Sequence, residues 1–167
     1  MIFRFFKNSL LVINLFIYIS LNAQSSEECR IVNNDFSIRP FGEVLTTKKL
    51  IQKLNGNVIL EKEPVNNEHT DDVDTLFYYK HSNSIFTFYK SSKSIYFRSA
   101  IIKDKGIKIK DCIEIGNTKA EVMRAFNLPQ STMCDIILLV DDEDFSHHRF
   151  YFEQNRLIKI ELDSGMD

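Results

Sequence analysis

Tryptophan is absent from this chain of 167 residues, glycine occurs five times and proline three. So little glycine leaves no room for the glycine-rich loops that cradle phosphate groups. There is no Gly-x-Ser-x-Gly elbow, no His-Glu-x-x-His pair, and no Asp-x-Asp-x-Asp-Gly run of the kind that wraps calcium. No motif therefore implies a cofactor or a metal. A basic block is missing as well. Twenty-one basic residues stand against 23 acidic ones, a formal net charge of −2. A nucleic-acid partner needs a basic patch or stripe, and none is written here.

Only one long apolar run is present. Arg4 and Lys7 precede it, it extends from Ser9 to Leu21 with Asn14 as its single break, and Asn22-Ala23-Gln24 comes after it. A basic start, an apolar stretch of this length and a small residue at the end mark a secretory signal peptide. A spanning helix needs about 20 apolar residues. Residues 1–23 are thus expected to be cleaved, leaving no stable membrane span. Their loss removes two basic residues and no acid, so the formal charge moves from −2 to −4.

Export places Cys29, Cys112 and Cys134 in an oxidising compartment, periplasmic or extracellular. Cys112 and Cys134 flank a predicted helix, one on each side, and are the expected disulfide. Closing that loop would restrain the unfolded chain by about 3 kcal/mol. Cys29 comes after Ser-Ser-Glu-Glu instead of the small apolar run of a lipoprotein signal. It is left as a free thiol in a polar N-terminal segment, residues 24–35.

Two stretches carry helix punctuation. Thr118 with Glu121 forms a capping box, Val122, Ala125 and Phe126 fall at helical spacing, and Asn127 before Leu128-Pro129 is a stop. Earlier, Thr46 caps, Leu50, Ile51 and Leu54 make an apolar stripe, and Asn55-Gly56 closes. Thr46, Lys49, Leu50, Leu54 and Asn55 line up with Thr118, Glu121, Val122, Phe126 and Asn127 at a constant offset of 72 residues. The strand-like runs after the two helices also match: Leu76–Lys80 with Ile136–Val140, Ile85–Tyr89 with Arg149–Phe152, and Ile95–Ile102 with Leu157–Leu162, joined by short turns. The expected fold class is α+β, built as two tandem repeats of a helix plus a three-strand antiparallel meander. The first module spans 36–102, the second 112–167, and 103–111 is a polar linker.

Strand alternation then assigns faces. Phe77, Tyr79, Phe86, Phe88, Ile95 and Phe97 point toward the helices, as do Phe150, Phe152, Ile158, Ile160 and Leu162. Tyr78, Lys80, Thr87, Tyr89, Tyr96 and Arg98 point away, with Arg149, Tyr151, Glu153, Lys159 and Glu161. If both meanders share one sheet, helices cover one face and the other stays open.

The runs Ile-Gly-Asn-Thr-x-x-Glu-Val-x-x-x-Phe-x-x-Pro and Arg-Phe-Tyr-Phe-Glu-x-x-Arg-Leu-x-x-Ile resemble the small exported domains of the SmpA/OmlA-like and beta-lactamase-inhibitor-protein-like superfamily. The likeness is clear over 106–162 and faint over 36–102. It implies helical segments on an antiparallel sheet. The inhibitor relatives imply contacts made by aromatic and polar residues on the open sheet face.

On that face Tyr78, Tyr89, Tyr96, Arg98 and Tyr151 are the candidate partner-binding residues. Tyrosine and arginine bury large area while keeping a polar end, and both are enriched at binding hot spots. Two segments mix carboxylates with imidazole: Asn66–Asp74, which holds His69, and Asp141–His148, which holds His147 and His148. Both read as solvated inter-strand loops, with a metal site as the alternative. A Cys–His nucleophile could be imagined from Cys134 and His147. The expected function is an exported, non-enzymatic module that binds a protein partner in the periplasm or outside the cell. An envelope assembly or scaffolding protein, or a small metal-binding enzyme, is the alternative.

Overall fold

A computed structural model describes residues 28–67, 70–129 and 134–165. The expected signal peptide, the first residues of the polar segment and His69 lie outside the described residues. Eight strands form one mixed sheet: β1 (Glu28–Val32), β2 (Ile59–Asn66), β3 (Val73–His81), β4 (Ser84–Lys90), β5 (Ile95–Ile102), β6 (Ile136–Val140), β7 (His147–Glu153) and β8 (Arg156–Asp163), in the spatial order β1-β6-β7-β8-β5-β4-β3-β2. Three short helices are described: α1 (Asn34–Ile38), α2 (Thr47–Leu54) and α3 (Lys119–Ala125). No described helix is long and apolar enough to cross a membrane.

Each helix begins where a side chain catches an orphan amide. Asn33 Oδ1 accepts from the Phe36 N–H at 3.1 Å, and Thr46 Oγ1 accepts from that of Lys49 at 3.3 Å. At α3 the box is complete. Thr118 Oγ1 accepts from the Glu121 N–H at 3.2 Å, and the Glu121 carboxylate accepts from the Thr118 N–H at 2.6 Å. The asparagine stops work by left-handed backbone, with φ of 40° at Asn55 and 56° at Asn127.

The expected tandem repeat of one helix with three strands is overturned. Two strands outside the expected pattern make the difference. β2, with Glu61, Lys62, Glu63 and Pro64 in its middle, looks like a loop by composition, yet it pairs with β3 along its whole length. It is an edge strand, where charge and proline are tolerated and discourage further pairing. β1, expected as part of a polar tether, lies parallel to β6 with Glu28 opposite Ile136 and Val32 opposite Val140. The first half thus supplies a four-strand meander, the second a three-strand one capped by β1. The two join where β5 pairs with β8, from Ser99 opposite Asp163 to Ile102 opposite Ile160.

The disulfide is corrected too. It joins Cys29 to Cys134, with Cα atoms 5.7 Å apart, and Cys112 is a free, exposed thiol on a 3₁₀ turn (Lys110–Cys112). The reason is register. Cys29 sits at the start of β1 and Cys134 just ahead of β6, so parallel pairing brings both to the same end.

One apolar core runs through both halves. Phe36 of α1 packs edge-on to Phe126 beyond α3 at 5.0 Å and lies 5.7 Å from Phe150 of β7. Leu50, Leu54, Val122 and Met123 from α2 and α3 meet Phe86, Phe88, Ile137, Ile160 and Leu162 from the sheet. The 103–111 stretch, expected as a solvated linker, sends Ile107 and Ile109 into this core. Two β-bulges break the simple alternation. At the one between Tyr151 and Phe152, Leu157 pairs with Phe152 and is buried, while Ile158, expected inside, is exposed. Ile95 is likewise exposed, opposite Lys90 at the turn end of its hairpin. The β6 run Ile-Ile-Leu-Leu-Val is buried on both faces, as a continuous apolar strand should be.

Candidate functional site

The open face is built by the residues that alternate away from the core. On β3, β4 and β5 these are Leu76 and Tyr78, Thr87 and Tyr89, and Tyr96, with Arg98 at a bulge. The bulge arises because Thr87 pairs with Ser99 and Phe88 with Phe97, leaving Arg98 between them. Tyr89 stands directly between Leu76 and Tyr96 in the ladder. Its ring stacks on that of Tyr96, with centroids 5.2 Å apart and planes inclined by 29°.

Two of the three phenols are anchored to carboxylates. Tyr78 donates to Glu63 of β2 at 2.6 Å, and Tyr89 donates to Asp74 of β3. Asp74 Oδ2 also accepts from Asn67 Nδ2 at 2.7 Å. The bond to Asp74, with burial second, pushes Tyr89 up to about 12. The bond to Glu63 raises Tyr78, and burial, then the Asp74 charge, raises Tyr96. The phenols therefore stay protonated and act as hydrogen-bond donors near neutral pH. Arg98 exerts the opposite, weaker pull on all three. Lys80 pairs with Glu61 at 2.6 Å along the rim.

Tyr151, the fifth expected contact residue, is elsewhere. It donates to Glu161 at 2.5 Å, its ring carries the Lys159 ammonium 3.6 Å from its centroid, and Lys159 pairs with Glu161 at 3.0 Å. Burial, then the Glu161 bond, pushes its hydroxyl up to about 12. Burial opposes ionisation of Glu161, but the bonds from Tyr151 and Lys159 hold its carboxyl below the ordinary value. Pairing of β5 with β8 is confined to Ser99–Ile102 against Ile160–Asp163. Tyr96 and Arg98 lie past one end of that segment and Lys159 with Tyr151 past the other. At 3.3 Å per residue the two groups are about 20 Å apart along the strands. The structure brings four of the five expected residues together and leaves Tyr151 in a second cluster with Lys159, Glu161, Arg149 and Glu28, the last two paired at 3.1 Å.

No protein-family model, no curated protein and no solved structure matches the chain. The resemblance drawn from its motifs thus rests on those residues alone.

The acidic and histidine segments resolve into local structure. Asp141 accepts from the Phe145 and Ser146 amides at 2.9 and 2.8 Å, and Asp144 pairs with Arg30 at 2.5 Å and His147 at 3.1 Å. His148, expected in a solvated loop, is buried in β7. Its Nε2 lies 3.1 Å from the Ser37 carbonyl, and its Nδ1 accepts from the Asp163 N–H at 3.3 Å. That assigns the neutral tautomer with the proton on Nε2. Cys134 is in the disulfide, so it offers no thiolate to His147. Among the described residues no three His, Cys, Asp or Glu side chains converge as a metal site.

Sequence reasoning missed Asp74, the residue that organises the tyrosine patch. The signal was available. Asp74 stands two and four residues before Leu76 and Tyr78, hence on their face, once β3 is extended back to Val73.

Proposed function

We propose that this protein is an exported, non-enzymatic module that binds another protein through the open face of its sheet, centred on Tyr78, Tyr89, Tyr96 and Arg98. The observation that carries the reading is the pre-ordered aromatic patch. Three tyrosines and an arginine stand on adjacent strands of a face that no described helix covers, with two phenols already held by carboxylates. Side chains held in place lose little rotamer entropy on binding, and two-torsion tyrosines lose less than flexible chains would. The Cys29–Cys134 disulfide supports a periplasmic or extracellular setting. Engagement of Cys134 and of both His148 nitrogens in structure supports a binding role over a catalytic one. Tyr151 and its neighbours would serve as a second, outlying contact.

The test is affinity capture from envelope extract with immobilised full chain, wild type beside Tyr78→Ala/Tyr96→Ala, read by quantitative mass spectrometry. Tyr89 is spared because its loss would strip Asp74 of a donor. A specifically captured protein should fall at least tenfold in the variant, as for a hot-spot pair, while the melting temperature moves little. Equal recovery of the same proteins on both columns would sink the reading.

A further inference from the structure

Asp74 is a buried carboxyl group with an incomplete hydrogen-bond shell. The residue is 2% exposed. Oδ2 accepts from the Tyr89 hydroxyl and from Asn67 Nδ2, whereas Oδ1 is shut off from solvent and has no hydrogen-bond partner among the described residues. An ionised carboxylate offers about four acceptor positions. Leaving one oxygen buried and unpaired is costly, and such orphans in native proteins call for a missing donor.

The surroundings select that donor. Beside the carboxylate lies the Tyr89–Tyr96 stack, and aromatic ring faces attract cations. A planar guanidinium can fork onto a carboxylate oxygen and stack on a phenol ring at once, which a compact ion cannot do. A metal would find a single carboxylate, since no group of three metal-ligating side chains forms among the described residues. Arg98 is the weakest of the influences acting on Tyr89 and Tyr96, whereas Asp74 acts on both more strongly. Neither residue's place in that order supplies the missing donor, since Asp74 Oδ1 has no hydrogen-bond partner among the described residues. The Tyr96 ring stacks on Tyr89, the phenol that donates to this carboxylate, and its own hydroxyl makes no hydrogen bond among the described residues.

We propose that Asp74, flanked by the stacked Tyr89 and Tyr96, is the receptor for an arginine side chain of the protein bound on this face. The inference rests on the binding-face reading above and names the chemistry of its central contact.

The probes are end-blocked Gly-Arg-Gly, its neutral isostere Gly-citrulline-Gly, and calcium chloride, each titrated into the full chain while the Tyr89 and Tyr96 ring signals are tracked by NMR. The arginine peptide should shift both rings saturably and the citrulline peptide should not. In Asp74→Asn the apparent affinity should drop about tenfold or more, the loss expected for a charged hydrogen bond. Equal shifts from both peptides would overturn the proposal without reliance on any variant. So would undiminished binding by a folded Asp74→Asn, or calcium displacing the arginine peptide from the same signals. Partner capture that depends on Tyr78 and Tyr96 in a protein blind to the arginine peptide would retain the binding face and reject this contact. Peptide binding without partner capture would do the reverse.

Discussion

At the scale of single residues, burial decides what the ionisable groups can do. His148 is fully buried with both ring nitrogens engaged, and burial lowers its pKa to about 4 despite the Ser37 carbonyl and the nearby Asp163 and Asp141. The unfolded chain takes up that proton near pH 6.5 and the folded chain only near pH 4. Between those values the unfolded state binds more protons, so stability rises with pH and is lost on acidification. The loss from pH 6.5 to pH 4 should be about 3 kcal/mol from this residue. Urea melts at stepped pH check it: His148→Gln, which can still bridge Ser37 and Asp163, should flatten the slope in that window. Part of this was legible, because His148 stands two residues before Phe150 and alternation sends both inward. The Ser37 contact was not, since it spans 111 residues of chain.

Among the elements, those marked by local chemistry kept to their signals. The α3 cap is an example. Thr118→Ala removes the hydroxyl that accepts from the Glu121 amide and donates to its carboxylate. It should cost about 1 kcal/mol, seen as a lower urea midpoint at constant m-value. Edge elements were harder. β1 is five residues long and alternates exposed and half-buried positions. It is held by β6, the disulfide and the ion pairs of Glu28 with Arg149 and Arg30 with Asp144. Cutting the covalent tie with Cys29→Ala should cost about 5 kcal/mol by the loop-entropy argument for cysteines 105 residues apart. It should also speed amide hydrogen exchange in β1 and β6 more than in β3 or β4. Uniform acceleration across the sheet would show that the tie acts on the whole fold.

For the molecule as a whole, one sheet with one core explains why function is sought on a single face. The helices, α1 included, occupy the other side, and the segment expected as a linker is part of the core. The joining of β5 to β8 makes the face continuous, yet its stagger sets Tyr151 far from the other tyrosines. A flat count of outward tyrosines therefore overstates the patch. Four residues share it, and the fifth belongs to a separate charged cluster.

Local sequence was enough to specify the two capped helices, six of the eight strands and the inward or outward sense of most of their side chains. Caps, stops and alternation are relations between residues a few positions apart, and the backbone enforces them wherever the chain goes. Long-range packing was needed to settle the partner of Cys134, the parallel placement of β1, the pairing of charged β2, and the bulges that turned Leu157 inward and Ile158 outward. It also put Asp74 under the tyrosines. Each of these depends on which distant strand supplies hydrogen bonds and cover, and residues so far apart carry no periodicity that would announce their meeting.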